Sequence, residues 1–352
     1  MTNNFKYKLS FIGSAGIPNL YGGFESFLEN CAPEISKNVD KVYVTCDSSL
    51  YTEKNKFYNG VERIFIPIKA NGASSILHDA VAFLSIFKKS SHIIVLGVSG
   101  GIWFPFFRIL CDIFRKKLIV NIDGIEWRRS KFNIYKRFLL KLFDSLAQIF
   151  SHKIVYDNKG LLEFIIKTCL QKSHEIAYSG DHILKFNHIK KINGTALTIC
   201  RIEPENNIHI LIEGFLKSNF LHYTIVGNWK NSEYGTSLLK KYKNNPRLNL
   251  LDPIYDPLEL ARLRQSCDVY LHGHSVGGTN PSLVEIIYYD CRIICYDVIF
   301  NRITTKNTCQ YFSNEESLAF EINNTNHLIY NREILRCEYS AKIISKKYLE
   351  IL

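Results

Sequence analysis

Four stretches of this 352-residue chain combine glycine, charge and placement in ways that could support chemistry. The densest runs from Tyr270 to Glu285 and reads YLHGHSVGGTNPSLVE. An apolar run ends there in a glycine-rich polar loop, and Pro281 suits the first turn of a helix. Backbone N–H groups and the small side chains of Thr279, Asn280 and Ser282 would face an anionic ligand. Glu285 lies one helical turn in, where a carboxylate can accept hydrogen bonds from vicinal hydroxyls. His272 and His274 hint at a metal, but no third ligand stands near them in the sequence, so no metal is expected.

The second stretch is Cys200-Arg201-Ile202-Glu203-Pro204-Glu205-Asn206-Asn207, again where an apolar run gives way to a helical pattern. Arg201 could grip a diphosphate, with the helix start adding positive potential. An interdomain salt bridge is the plainer alternative. The third contains Gly13, Gly16, Gly22 and Gly23, followed by Glu25. Glycines there let the backbone approach a ligand, and the N–H groups of a helix start favour an anion. The spacing is neither G-x-G-x-x-G nor a Walker A loop, and a purely structural turn is the alternative. The fourth, residues 121–129, places Asp123, Glu126, Arg128 and Arg129 after an apolar run. These could do acid/base or hydroxyl-binding work, or form a solvated loop closed by a salt bridge.

Each stretch needs a strand to end where its chemistry begins. Apolar runs fit strands at 9–13, 42–46, 64–67, 93–96, 118–122, 154–156 and 175–177, then at 196–200, 223–226, 248–251, 269–271 and 292–295. Helical periodicity fits 23–37, 76–89, 134–150, 207–217, 234–242, 257–264, 281–289 and 332–352. This alternation predicts an α/β protein with two parallel sheets built by right-handed crossovers. The polar, aperiodic stretch 180–194 separates residues 1–185 from 186–330, and 331–352 is expected to pack back on the first domain. Ligands of such sheets sit at the carboxyl ends of the strands, which places the expected site in a cleft between the domains.

Hydrophobic residues make up 46% and charged residues 22%, which excludes a disordered tail, a coiled coil and a collagen-like chain. Ten cysteines without a C-x-x-C pair read as apolar residues of a reduced, cytoplasmic protein. Cys291 and Cys295 have helical spacing, or are spaced so by chance. The first residues are polar and basic and do not read as a signal peptide. Residues 93–107 are too short and glycine-broken for a span, which needs about 20 apolar residues; they read as a buried strand, a turn and a short aromatic helix.

The net charge is +11, of which residues 1–185 hold +9 and residues 108–141 hold +7. Aromatic residues interleave with this charge over 103–143. The apolar positions Phe132, Tyr135, Phe138, Leu139, Leu142, Phe143, Leu146 and Ile149 recur at helical spacing. One reading is a surface for anionic lipid head groups; the other is a surface helix whose stripe faces the core. No nucleic-acid motif accompanies the charge, and no nucleic-acid partner is expected.

Taken together, IGSAGIPNLYGGFESFLE at 12–29, VNIDGIEWRRSKF at 120–132, CRIEPENNIHILIEGF at 200–215, HGHSVGGTNPSLVE at 272–285 and FNR at 300–302 resemble the retaining glycosyltransferases of family 4. The chain looks most like their bacterial rhamnosyltransferase branch of surface-polysaccharide assembly. The resemblance implies a GT-B fold of two Rossmann-like domains. It implies a nucleotide sugar as substrate and no cofactor, with the leaving diphosphate helped by Arg201 and the loop N–H groups. Glu285 would hold the ribose, and Asn206, Thr279, Asn280, Pro281 and Ser282 would line the donor site. Gly13, Gly16, Gly22 and Gly23 would close over the diphosphate. Arg201, Asp123 and Glu285 are the expected catalytic residues; Glu25, Asp123, Glu126, Arg128, His272 and His274 are expected at the sugar or acceptor. The acceptor would be an oligosaccharide on a polyprenyl diphosphate, used at the inner face of the plasma membrane.

Three departures stand out. Asn206 replaces a common Lys, Gly277 a common Glu, and Asp123 a common His that binds the sugar 6-hydroxyl. A 6-deoxy sugar lacks that hydroxyl, so dTDP-rhamnose is the favoured donor, with UDP- and GDP-sugars, a nucleotide-sugar epimerase or a non-catalytic binding module as alternatives. There is no D-x-D pair of the kind metal-dependent nucleotide-sugar transferases commonly use.

Overall fold

A computed structural model describes residues 7–20, 22–128, 132–324 and 332–352. Tyr21 of the first glycine-rich stretch, and Arg129, Ser130 and Lys131 of the basic segment, lie outside the described residues. The chain forms two compact units, Met1–Ser179 with Ser340–Leu352 and Gly180–Tyr339.

The first unit runs β1 (Lys8–Ile12), α1 (Gly23–Ser36), β2 (Lys41–Asp47), β3 (Phe57–Tyr58), β4 (Val61–Ile66), α2 (Ser75–Phe87), β5 (His92–Leu96), α3 (Phe104–Ile113), β6 (Lys117–Asn121), α4 (Ile134–Phe150), β7 (Lys153–Tyr156) and β8 (Ser173–Glu175). Its strands lie in the order β3-β4-β2-β1-β5-β6-β7-β8. All pairs are parallel except β3–β4. β5 is buried at every position and β1 at every position after Lys8, as expected when helices cover both faces of a parallel sheet.

The second unit runs β9 (Ile192–Ile199), α5 (Ile208–Leu216), β10 (His222–Val226), α6 (Glu233–Tyr242), β11 (Leu248–Leu251), α7 (Pro257–Ser266), β12 (Cys267–His272), α8 (Pro281–Ile287), β13 (Arg292–Tyr296), α9 (Ile299–Thr305), β14 (Gln310–Phe312), α10 (Glu315–Asn323) and α11 (Glu333–Glu338). Its sheet is wholly parallel, in the order β11-β10-β9-β12-β13-β14. Phe215, Tyr223, Ile225, Trp229, Val269 and Leu271 form its core.

In each sheet the order reverses once, between β1 and β5 and between β9 and β12. These are topological switch points, where loops leaving the two strands diverge and open a crevice. Three of the four chemical stretches are loops at these points; the fourth follows β6, next to β5.

The segment 332–352, read as one helix, is two. α11 ends at Glu338, and Ser340 caps a new helix, α12 (Ala341–Glu350). α11 stays with the second unit through Arg336, which reaches the Ile287 carbonyl and Asp290. α12 belongs to the first, where the Tyr348 ring packs 5.1 Å from that of Phe27 and its hydroxyl accepts from the Asn121 amide at 3.0 Å. The helical spacing of Cys291 and Cys295 is coincidental: Cys295 lies in β13 and Cys291 precedes it.

Candidate active site

In the second unit, β9 ends at Ile199 and β12 at His272, and their loops are bonded to each other. Ser275 donates to the Glu205 carbonyl from its amide (2.9 Å) and its hydroxyl (2.8 Å). The Asn207 side-chain amide donates to the Gly273 carbonyl at 2.9 Å. Arg201 stands at the start of this platform. It is exposed and makes no ion pair among the described residues, so within its own unit its charge remains available to a ligand. Asn206 does not share that role. It is buried, and its amide donates to the Arg201 carbonyl at 2.7 Å, shaping the loop that carries Arg201.

Asn280 caps α8, its Oδ1 accepting from the Ser282 amide at 3.0 Å and hydroxyl at 2.7 Å. Pro281 is the first residue of α8, and Thr279, two residues before it, is buried. Gly277 has φ +125 with open space where a Cβ would stand. That backbone suits glycine, which accounts locally for the absence of the Glu expected from the resemblance.

The Glu285 carboxylate already has two partners within its unit. Its Oε2 is bound by Arg264 Nη2, and its Oε1 faces His182 Nε2 at 3.2 Å. Burial pushes its pKa up, but Arg264 and His182 outweigh this and hold the carboxyl below its usual range. A carboxylate has about four acceptor positions, so lone pairs remain for a hydroxyl. Neither Arg264 nor His182 carries a motif. The one sequence signal is that Arg264 sits on the core side of an amphipathic helix, where an arginine needs a partner.

His272 ends β12 fully buried, its ring stacked on His274 at 4.4 Å. Burial drives its pKa down to about 3, so it is a neutral imidazole at ordinary pH. Asn301, in the FNR triplet, donates to the carbonyls of His274 (2.9 Å) and Tyr296 (2.8 Å) and so fixes this loop from behind. Among the described residues no group of three or more His, Cys, Asp or Glu could hold a metal ion.

In the first unit, Gly13 has φ +89, and a Cβ there would stand 2.4 Å from the Leu96 carbonyl oxygen. Only glycine lets the β1 loop pass so close to β5. Gly16 and Gly22 belong to the same loop, and Gly23 opens α1. Glu25 is turned inward and straps this loop, accepting the Ala15 amide at 2.6 Å. Burial raises its pKa against the pull of the Ala15, Glu25 and Gly22 amides, and the neighbouring Asp123 charge raises it further. Asp123 follows β6 with φ 55 and accepts from the Tyr178 hydroxyl at 3.1 Å. Glu126 and Trp127 line a small recess with Asp123 and Asp144. Arg128 is exposed, its guanidinium 5.2 Å from the Phe164 ring. The structure thus groups Gly13, Gly16, Gly22, Gly23, Glu25 and Asp123 at one sheet edge, and Arg201, Asn206, His272, His274, Thr279, Asn280, Pro281 and Ser282 at the other sheet's edge, with Glu285 beyond them in α8.

Solved structures similar to this chain include HepE from Anabaena in complex with UDP and glucose, with a TM-score of 0.70 at 14% identity, covering 98% of this chain and 99% of that one. Sucrose-phosphate synthase from Thermosynechococcus elongatus has a TM-score of 0.71 at 10% identity, covering 98% and 94%. The lipopolysaccharide outer core galactosyltransferase WaaB, in its apo form, has a TM-score of 0.60 at 12% identity, covering 98% of both. At such identities the likeness is one of fold: two parallel-sheet α/β domains of the GT-B kind. No curated protein sequence matches this one. Residues 6–181, half of the chain, match a family profile described as a domain of unknown function, DUF1972, and the protein belongs to that family.

Proposed function

We propose that the protein is a retaining glycosyltransferase that uses a nucleotide sugar. The observation that carries this reading is the paired loops at the β9–β12 switch point, with Arg201 exposed and unpaired within its unit and the Glu285 carboxylate held in place in α8. The GT-B fold of the similar structures supports it, as does the complex that one of them, HepE, forms with UDP and glucose. In this reading Arg201 and the loop N–H groups take up the negative charge that develops on the leaving diphosphate, the effect that commonly dominates such catalysis. Glu285 accepts hydrogen bonds from the nucleoside sugar. Asp123, Glu126, Arg128, His272 and His274 contact the transferred sugar or the acceptor, and the Gly13–Gly16 and Gly22–Gly23 backbone closes on the diphosphate. With no nucleophile assigned, the sugar is passed to the acceptor by front-face attack.

The favoured donor is dTDP-rhamnose, on the strength of Asp123 standing where a 6-hydroxyl-binding His is common. The favoured acceptor is an oligosaccharide on a polyprenyl diphosphate, used at the inner face of the plasma membrane in capsule or other surface-polysaccharide assembly. Calorimetry with dTDP, UDP and GDP, with and without magnesium, tests the donor. Tight, metal-independent dTDP binding is expected; preference for UDP or GDP would overturn the sugar but keep the class, and no binding would remove the class. Arg201→Ala should lower turnover by roughly 10²–10³-fold with the fold intact. Unchanged turnover would remove Arg201 from the mechanism.

A further inference from the structure

The steps β4 to β5, β5 to β6 and β6 to β7 all run in one direction across the first sheet. Right-handed crossovers therefore put α2, α3 and α4 on the same face. Phe83 of α2 and Phe107 of α3 stack at 3.8 Å beneath them. The outer sides of these helices are not polar. Leu84 of α2, Ile109 and Ile113 of α3, and Tyr135, Phe138 and Leu142 of α4 are all exposed, Tyr135 at 83% and Phe138 at 71%.

On α4 the side toward the sheet instead carries Asp144 and Gln148 with Phe143 and Ala147. Asp144 accepts from the Trp127 indole at 3.1 Å and from Gln148 at 3.0 Å, so the inward polar groups are satisfied. Of the two readings of this stripe, the one that turns it toward the core does not hold for Tyr135, Phe138, Leu139, Leu142 and Ile149, which are exposed. Monomers seldom expose contiguous apolar surface of this kind without a use for it.

The surrounding charge selects the occupant. Lys136 and Lys141 flank the α4 stripe and are exposed, and Arg115 is exposed just after α3. A second copy docked by the same face would bring like charges together. An anionic bilayer complements both the charge and the apolar band. We propose that the outer faces of α2, α3 and α4 dock the protein on anionic phospholipid, with Tyr135, Phe138 and Leu142 at the acyl boundary and Lys136 and Lys141 among the head groups. Among the described residues no helix is long and apolar enough to cross a membrane, and an interfacial face needs none. The inference extends the lipid-linked acceptor of the proposed function, because α4 begins just beyond the Asp123–Arg128 loop. Its test uses no sugar donor.

The full chain is co-sedimented with vesicles of equimolar phosphatidylcholine and phosphatidylglycerol, and with phosphatidylcholine alone. Binding to the anionic vesicles, weakened by salt, is expected. Tyr135→Ser with Phe138→Ser should lower the partition coefficient about tenfold or more, and Lys136→Glu with Lys141→Glu should lower it comparably. Both variants should keep the wild-type melting temperature, since these side chains lie outside the core. No binding to anionic vesicles, or wild-type binding by both variants, would overturn the proposal. A dimer in solution that the serine variant dissociates, without any vesicle binding, would assign the face to a second copy instead. Nucleotide binding, measured separately on the same protein, reports on the glycosyltransferase reading alone.

Discussion

A carboxylate buried beside a guanidinium and an imidazole is stable only while those neighbours remain. Glu285 is held by Arg264 and His182, so removing Arg264 leaves a largely buried charge with one partner. Arg264→Met should destabilise the protein by about 3–5 kcal/mol, the usual cost of breaking such a pair. Adding Glu285→Gln should recover much of that stability but not nucleotide affinity. Urea unfolding and nucleotide calorimetry on the two variants separate the effects, and wild-type stability in the single variant would show that the pair matters little. The folded pKa of Glu285 lies below its ordinary 4.5, so its contribution is complete above that value and disappears as pH falls through the folded pKa. His272 also weakens the fold in acid, over a higher pH range. Burial holds it at about 3 against an ordinary 6.5, so the unfolded chain takes up a proton that the native one refuses. Stability should therefore fall as pH drops from about 6.5 toward 3, by up to ~1.4 kcal/mol per pH unit from this residue. His272→Gln should flatten that slope, and an unchanged slope would place the acid sensitivity elsewhere.

The strands and loops show what the sequence can and cannot reveal. Unbroken apolar runs such as Ile93–Leu96 locate the parallel strands, because helices cover both faces of the sheet. The loops carrying Gly13, Asp123, Arg201 and Gly277 are visible because each follows such a run. Other elements are hidden. β3 and β14 are only two and three residues long. α9 contains Thr304 and Thr305, poor helix formers whose hydroxyls bond to the Phe300 and Asn301 carbonyls four residues back. Periodicity reveals the apolar stripe of α4 but not its direction, because the core side is held by a polar network that no hydropathy pattern displays. That His182 and Arg264 hold Glu285 escapes a sequence reading, because the three meet only in space. The two loop glycines should differ in cost when replaced. At Gly13 a Cβ meets the Leu96 carbonyl at 2.4 Å, while at Gly277 it meets nothing within 4 Å. Gly277→Ala should cost about 1–3 kcal/mol in backbone strain alone, and Gly13→Ala clearly more. Equal melting temperatures for the two variants would contradict the close passage of the first loop over β5.

At the scale of the whole molecule the chain leaves the first unit at Ser179, builds the second, and returns at Ser340. The return is structural for the first unit. Ile344 and Tyr348 of α12 are buried in the same core cluster as Phe11, Phe27 and Leu28, and the Ser345 hydroxyl donates to the Cys31 carbonyl at 3.2 Å. Loss of one such aromatic side chain costs about 3–5 kcal/mol, a large share of the roughly 5–15 kcal/mol that stabilises a typical domain. Tyr348→Ala should therefore lower the melting of the first unit while leaving the second nearly unchanged, because no residue of the second unit's core lies in that cluster. Calorimetry can assign the transitions, since a nucleotide bound by the second unit at about 100 times its Kd should raise that unit's stability by ~2.7 kcal/mol. In the variant, the transition that nucleotide raises should stay near its wild-type temperature and the other should move down. A single transition lowered as a whole, and raised as a whole by nucleotide, would mean that the two units unfold together and that the returning helix stabilises both.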